Sequence, residues 1–186
     1  MPRRYLYLIR NGHYAREDQG DGSLTELGQR QVQLTAQALH GFPFRNLSYS
    51  PHQQVRETAT IFAQRFQIPS QETELLRQYD EQMKFGTLSR SMLMNAHAVQ
   101  QQQLEAAVQH FIVPPPDEDW QEIIVCHANI IRDLICRALG VNPATWAHML
   151  INHCGISCLS VDEQGTVELL SYNDVNHLPD NLHTES

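Results

Sequence analysis

The chain has 186 residues, of which 41% are hydrophobic and 18% are charged, and its formal net charge is −8. This length and composition are typical of one globular domain that buries a hydrophobic core of its own. The acidic balance argues against a protein that coats nucleic acid or an anionic membrane surface. A single basic pocket on such an acidic protein still suits a small anionic ligand.

The apolar run near the N-terminus is too short for the apolar part of a signal peptide or for a membrane span. It covers Tyr5–Ile9 and ends at Arg10, so a buried strand is the better interpretation. The four cysteines contain no CxxC pair, which favours reduced thiols and a cytoplasmic protein without a metal or other cofactor. A zinc site built from Cys154, Cys158 and His153 is a minor alternative, because that segment has the pattern of a strand.

The hydrophobic pattern predicts strands and helices in alternation along the chain. Strand-like patterns occur at 5–9, 46–49, 74–76, 122–126, 156–161 and 167–172. Helical spacing occurs at 25–40, 51–66, 100–111, 130–139 and 143–148. We therefore expect a three-layer α/β/α fold with a mostly parallel sheet. It forms one domain over 1–186, with a small insertion at about 78–119.

Two polar side chains directly follow predicted strands. Arg10 comes after the strand at 5–9, and His127 comes after the strand at 122–126. In sheets of this kind ligands bind at the carboxyl ends of the strands. We therefore expect Arg10 and His127 to lie in one ligand pocket.

Several segments, in the same order along the chain, resemble the histidine phosphatase (phosphoglycerate mutase-like) superfamily. They are LIRNG (8–12), LTELGQRQ (24–31), YSPHQQVRETATIF (49–62), VCHANIIRDLICRAL (125–139) and NDVNHLP (173–179). The last two are similar to the mitochondrial Ser/Thr protein phosphatase branch of the superfamily. The resemblance covers nearly the whole chain and implies a phosphoglycerate mutase-like fold.

The resemblance also implies a mechanism. In the superfamily, the histidine of an Arg-His-Gly signature attacks phosphorus and carries the phosphoryl group. Two arginines and a second histidine bind the phosphate oxygens, and an acidic residue protonates the leaving group. These residue types suit the chemistry, because neutral imidazole is a nucleophile near pH 7 and the arginine fork matches phosphate. A carboxylic acid with a raised pKa supplies the final proton.

Three positions keep the residues that the superfamily pattern requires. Arg10 and Gly12 match the signature on either side of its histidine, and His127 matches the second histidine. The resemblance therefore implies that Arg10, Gly12 and His127 bind phosphate, with Arg10 and His127 also belonging to the catalytic set.

Three other positions depart from the pattern. Asn11 occupies the position of the nucleophile, and its amide nitrogen has no lone pair of comparable basicity. Gln54 occupies the position of the second phosphate-binding arginine, and Gln78 that of the leaving-group acid. Each substitution removes charge or basicity and keeps a polar side chain of similar size.

Other residues could compensate for these departures. Arg56 lies two positions after Gln54, but two residues turn a helical side chain by roughly 200°, so it should point elsewhere. Asp80 or Glu81 could act as the acid in place of Gln78.

Nearby histidines could also compensate. His13 could replace the nucleophile, although in-line attack from two residues away is unfavourable. His52 and His153 could also approach the mouth of the pocket.

The sequence thus predicts a phosphate pocket without a nucleophilic histidine, in a protein that acts by binding or regulation. Its partners would be a phosphate ester or a phosphoprotein, with no nucleic acid and no membrane, and a homo-oligomer stays open. The competing hypothesis is an active phosphomonoesterase or Ser/Thr phosphoprotein phosphatase, or an inactivated variant of one. A third is a scaffold whose pocket binds nothing.

Overall fold

A six-stranded mixed sheet forms the centre of the protein. The computed structural model describes residues 1–15, 21–78 and 90–185, with the backbone alone at 90–97 and 143. The strands are β1 (Arg3–Arg10), β2 (Phe44–Tyr49), β3 (Ser70–Glu72), β4 (Trp120–Cys126), β5 (Ile156–Asp162) and β6 (Val167–Asp174). Their order across the sheet is β3-β2-β4-β1-β5-β6. The pairings among β1, β2, β3 and β4 are parallel, whereas β5 and β6 form an antiparallel hairpin on β1.

Within the described residues, four α-helices cover the two faces of this sheet. They are α1 (Glu26–Ala38), α2 (Gln53–Phe66), α3 (Arg90–Phe111) and α4 (Ala128–Ala138). Alternate residues of β4 point to opposite faces, so Ile123 packs with α1 and α2 whereas Ile124 packs with α3 and α4. Burial on both faces explains the nearly continuous apolar run of β4. The predicted α/β fold with helices on both sides of the sheet is confirmed.

The pairing register brings the carboxyl ends of three strands to one edge. Arg10 of β1 is opposite Cys126 of β4, and Tyr49 of β2 is opposite Val125. The chain leaves β1 at Asn11, whose backbone N–H donates to the carbonyl of Cys126 at 3.0 Å. The polar residues that follow β1, β2 and β4 are therefore neighbours in space.

Two element boundaries differ from the sequence expectation. The segment Glu74–Leu76 is a single 3₁₀ turn and not a strand, because the Thr73 side chain accepts a hydrogen bond from the N–H of Leu75. The strand lies earlier, at Ser70–Glu72. Helix α3 begins ten residues before the predicted start at 100, at Arg90. The division into one domain with an insertion at 78–119 stays a prediction.

Candidate functional site

A cavity of about 290 Å³ opens at the edge where β1 and β4 end. Its lining consists of Arg10, Asn11, Tyr14, Gln78, His127, Ala128, Asn129, Arg132, His153 and Glu185. Four of the six residues singled out from the sequence are in this set. Gly12 and Gln54 are buried and do not line the cavity.

Arg10 is held by the backbone of two distant segments. Its Nη1 donates to the carbonyl oxygens of Ile151 and Glu185, each at 2.6 Å. Its Nη2 lies 3.0 Å from Nε2 of His153. Burial lowers the pKa of Arg10 to about 10; Tyr14 opposes this lowering, and charge repulsion from Arg132, a smaller effect than that of Tyr14, adds to it. The guanidinium therefore remains charged at pH 7 and is fixed at the cavity wall.

The partner of Arg10 fixes the tautomer of His153. A guanidinium only donates hydrogen bonds, so Nε2 of His153 must accept from it. Its other ring nitrogen, Nδ1, then carries the proton and donates to the Thr184 hydroxyl at 2.9 Å. Burial, followed by the charge of Arg10, lowers the pKa of His153 to about 3. His153 is therefore a neutral imidazole at physiological pH.

Asn11 lies directly after β1 and is almost completely buried. Its side chain is turned back onto the chain, where Nδ2 donates to the Gly12 carbonyl at 3.0 Å. The Gly12 N–H in turn donates to the Thr58 hydroxyl of α2 at 3.2 Å. These two hydrogen bonds fix the loop after β1. The side-chain amide of Asn11 offers no nucleophilic nitrogen.

Two polar side chains in the first turn of helix α2, Gln54 and Arg56, differ in their exposure to solvent. Gln54 lies in its first turn and is 1% exposed. Arg56 is exposed, with Nε donating to Glu72 at 3.0 Å and Nη2 donating to the Pro51 carbonyl at 3.2 Å. The two side chains therefore point in different directions, and Arg56 does not line the cavity.

His127 lies where β4 ends and α4 begins. Its Nε2 is 3.0 Å from the Ser50 hydroxyl and 3.2 Å from Nδ1 of His52. Burial, and then the neighbouring charges of His52 and Arg10, hold the pKa of His127 well below its usual range. His127 is therefore a second neutral imidazole, and it faces the cavity.

The N-terminus of α4 opens onto the same cavity. His127 is the N-cap residue, but its side chain does not accept a hydrogen bond from the first turn. Ala128 and Asn129, the first two residues of the helix, line the cavity. Backbone N–H groups at a helix N-terminus favour an anion. The cavity thus combines two arginines, neutral imidazoles and a helix N-terminus.

Arg132 was not among the site residues expected from the sequence, but the structure places it in the cavity wall. Its spacing on α4 was the available signal, because Arg132 is one helical turn from Asn129 and so shares a face with it. Tyr14 and Glu185 were also not foreseen. Glu185 reaches the site from the C-terminal segment, which no local pattern could have indicated.

The residues that could compensate for Asn11 and Gln78 differ in their distance from the cavity. The ring of His13 lies 5.4 Å from that of His153, but its Nδ1 is 2.9 Å from the Thr25 hydroxyl and it does not line the cavity. His52 contacts His127 and does not line the cavity. Asp80 and Glu81 lie outside the described residues.

The alternative zinc site consists of Cys154, Cys158 and His153. Across the described ranges, no three histidine, cysteine or acidic side chains are grouped so that they could hold a metal ion. The thiol of Cys154 is buried, and burial raises its pKa to about 12, so it carries a proton at pH 7. Cys158 lies within β5.

Comparison with known proteins identifies the family. The model of the histidine phosphatase superfamily (branch 1) matches residues 6–87 and 95–175. The chain belongs to this superfamily. The match includes β1, α2, β4 and α4, which supply most of the cavity wall.

The relatives and solved structures agree with this assignment. The chain is 30% identical over 184 residues to a mitochondrial serine/threonine-protein phosphatase, PGAM5, from Xenopus tropicalis; the match covers 95% of this chain and 66% of the relative. The chain thus spans about two thirds of the length of such relatives.

Two solved structures share the fold at low sequence identity. YhfR from Bacillus stearothermophilus has a TM-score of 0.75 at 20% identity, covering 94% of this chain and 98% of its own. A histidine-to-alanine mutant of phosphoserine phosphatase from Entamoeba histolytica, in complex with phosphoserine, has a TM-score of 0.69 at 19% identity. Here the match covers 95% of this chain and 100% of the other.

The names of the relatives also correct one expectation. Curated relatives at about 30% identity from frog, nematode and human are named as mitochondrial proteins. The cytoplasmic location inferred from the reduced cysteines is therefore wrong, because free thiols do not distinguish between reducing compartments. Among the described helices, none combines the length and apolar character needed to cross a membrane.

Proposed function

We propose that this chain binds a phosphate ester or phosphoprotein in the described cavity and that its own phosphatase activity is absent or strongly reduced. The observation that carries the proposal is Asn11, which lines the cavity directly after Arg10 at the position that resembles the nucleophile of the superfamily. Loss of a catalytic nucleophile typically costs about 10⁴- to 10⁶-fold in rate.

Two further neutral residues support the proposal. Gln54 is buried and Gln78 lines the cavity, and by resemblance they stand where an arginine and an acid act in the superfamily. A lone change at Asn11 would leave the remaining machinery ready for catalysis. Three neutral polar residues at three catalytic positions favour a site that binds without turnover.

The charge of the cavity supports a bound anion. Arg10 and Arg132 both line it, and the N-terminus of α4 opens onto it. Within 1–15, 21–78 and 90–185, neither arginine forms an ion pair with a carboxylate. Glu185 also lines the cavity and its charge acts on Arg10, so two cations face one carboxyl group there and leave an excess of positive charge that suits a phosphate.

A working phosphomonoesterase or Ser/Thr phosphoprotein phosphatase is the second candidate. The observation that favours it is His127, a neutral imidazole that already lines the cavity and could replace the missing nucleophile. The names of the curated relatives agree with this alternative. Its weakness is that Nε2 of His127 is directed at Ser50 and His52.

Phosphate-dependent stabilisation tests the binding half of the proposal. We expect sodium phosphate to raise Tm relative to sodium chloride at equal ionic strength, because a ligand that binds only the folded state stabilises it. Arg10→Gln should abolish the rise, and Arg56→Gln, which removes an equal charge outside the cavity, should retain it. Should Arg10→Gln fail to fold, Arg10→Lys takes its place. A chain that shows no phosphate-dependent rise would be a scaffold with an empty pocket.

Hydrolysis of p-nitrophenyl phosphate tests the second part of the proposal, that the phosphatase activity is absent or strongly reduced. We expect the unmodified chain to be at least about 10⁴-fold slower than an active member of the superfamily assayed beside it. A rate within tenfold of that enzyme would establish the second candidate and reject the first.

A further inference from the structure

Arg132 is the second arginine in the wall of the cavity, and its neighbours fix where its charge lies. It lies on α4, five residues after His127, and its half-buried side chain lines the cavity that Arg10 also lines. Its Nη1 donates to Oδ1 of Asn129 at 3.2 Å, one helical turn earlier. The side chain therefore extends back toward the N-terminus of α4, where the cavity lies.

The guanidinium of Arg132 is also held from its other side. Its Cζ lies 5.8 Å from the centre of the Trp146 ring, which is a cation–π distance. The Tyr172 hydroxyl lies beside it and is buried, and the cation opposes the rise that burial causes in the pKa of Tyr172. Neither neighbour neutralises the charge. The side chain is therefore oriented by neutral groups.

The neighbouring arginine of the same helix shows the contrast. Arg137 forms ion pairs with Asp133 and Glu105. Arg132 has no such partner in the described part of the chain. Instead, its charge acts on Arg10 across the cavity and lowers the pKa of Arg10. Two like charges that face one cavity repel each other until an anion lies between them.

We propose that Arg132 and Arg10 together bind the phosphate group, so that Arg132 supplies the second cation that Gln54 lacks. This inference rests on the proposed phosphate-binding function and names the residue that completes it. Phosphate would lie between the end of β1 and the start of α4. Its oxygens would accept from both guanidinium groups and from the first-turn N–H groups at Ala128 and Asn129.

The geometry has a consequence for the ligand. Two guanidinium groups are matched best by a dianion, so a phosphomonoester should bind and a phosphodiester, with one negative charge, should bind more weakly. The cavity is about 290 Å³, which accommodates a phosphate and the first atoms of its ester group. The ligand class is therefore a terminal phosphomonoester.

Titration with inorganic phosphate, followed by ¹⁵N NMR, tests the role of Arg132. The variants are Arg132→Gln, Arg132→Lys, Arg10→Gln and the exposed control Arg56→Gln. We expect Arg132→Gln to raise Kd about tenfold or more, the effect of losing one charge-assisted hydrogen bond. Arg132→Lys should raise Kd less than Arg132→Gln does, because lysine keeps the positive charge and loses only the bidentate hydrogen bonding of the guanidinium group. Arg56→Gln should stay within about twofold, as a screened surface charge does.

The outcomes separate this inference from the proposed function. If the unmodified chain and Arg56→Gln bind phosphate, Arg10→Gln does not, and Arg132→Gln binds as the control does, then Arg132 only stacks on Trp146 and this inference fails alone. If the unmodified chain does not bind phosphate, the proposed function fails and this inference with it. The amide spectrum reports whether each variant is folded. If Arg132→Gln is unfolded, the Kd of Arg132→Lys decides whether Arg132 contributes to phosphate binding.

Discussion

At the scale of single residues, the site depends on charges whose partners are neutral. Arg10 donates to two carbonyl oxygens and to a neutral imidazole, so no hydrogen bond pairs its charge with a carboxylate. An arginine paired with a carboxylate would present much less positive potential to a ligand. The same logic explains why His153 must stay neutral, since a proton on Nε2 would place two cations 3.0 Å apart.

The stability of the protein should therefore fall in acid. The pKa of His153 is about 3 in the folded protein and 6.5 in the unfolded chain, so between these values the unfolded chain binds more protons. The stability is fully present above pH 6.5 and is lost as the pH falls below it, by about 1.4 kcal/mol per pH unit for each such group. His127 and His177, whose pKa values are also lowered by burial, act in the same direction.

Urea unfolding at pH 7 and pH 5 measures this loss. We expect the free energy of unfolding to be lower at pH 5, and His153→Gln to show a smaller difference between the two pH values. Glutamine can still accept from Arg10 but takes up no proton in this range. An unchanged difference in His153→Gln would mean that another group causes the loss.

At the scale of elements, helix α1 sets the position of the loop that carries Asn11. A Cβ atom on Gly28 would lie 1.9 Å from the carbonyl oxygen of His13, so the helix and the loop pack backbone to backbone. The N–H of His13 also donates to Oε1 of Gln31, one turn further along α1, at 2.9 Å. The site loop is thus held against α1 by contacts that tolerate no side chain at Gly28.

Gly28→Ala should consequently destabilise the protein, although alanine is the better helix former by about 1 kcal/mol. The clash is with backbone and cannot be relieved by rotating a side chain. We expect a lower Tm and weaker phosphate binding, because the loop after β1 must move. The exposed neighbour Gln29→Ala should leave both quantities unchanged. A Gly28→Ala variant as stable as the unmodified chain would show that the loop adapts freely.

The sequence predicted the elements well where burial sets a strong period, as in β4 and α4. It failed at Glu74–Leu76, where a threonine side chain bonds to the backbone and overrides a short apolar pattern. It also missed Arg132, because helical spacing predicts which residues share a face of α4 but not which part of the protein that face contacts. The return of the C-terminal segment to Arg10 depends on hydrogen bonds across 175 residues of sequence, which no local signal reports.

At the scale of the whole molecule, four separate segments build one cavity. The end of β1 with the loop after it, Gln78, the start of α4, and His153 with Glu185 each contribute to its wall. Thr184 ties His153 to helix α1, since its hydroxyl accepts from Nδ1 of His153 and from Nε2 of Gln31. The fold therefore keeps a cavity lined by two arginines, and the proposed loss of activity follows from a few side chains at it.

The most direct test of this account is the rate of p-nitrophenyl phosphate hydrolysis in a set of matched variants. They are the unmodified chain, Asn11→His, the double variant Gln54→Arg/Gln78→Glu, and the triple variant that combines all three changes. We predict no measurable turnover in the two chains that keep Asn11, and a rise of at least about 10³-fold from the double to the triple variant. Recovery in Asn11→His alone would mean that only the nucleophile is missing. Turnover in the unmodified chain within tenfold of the best variant would contradict the account.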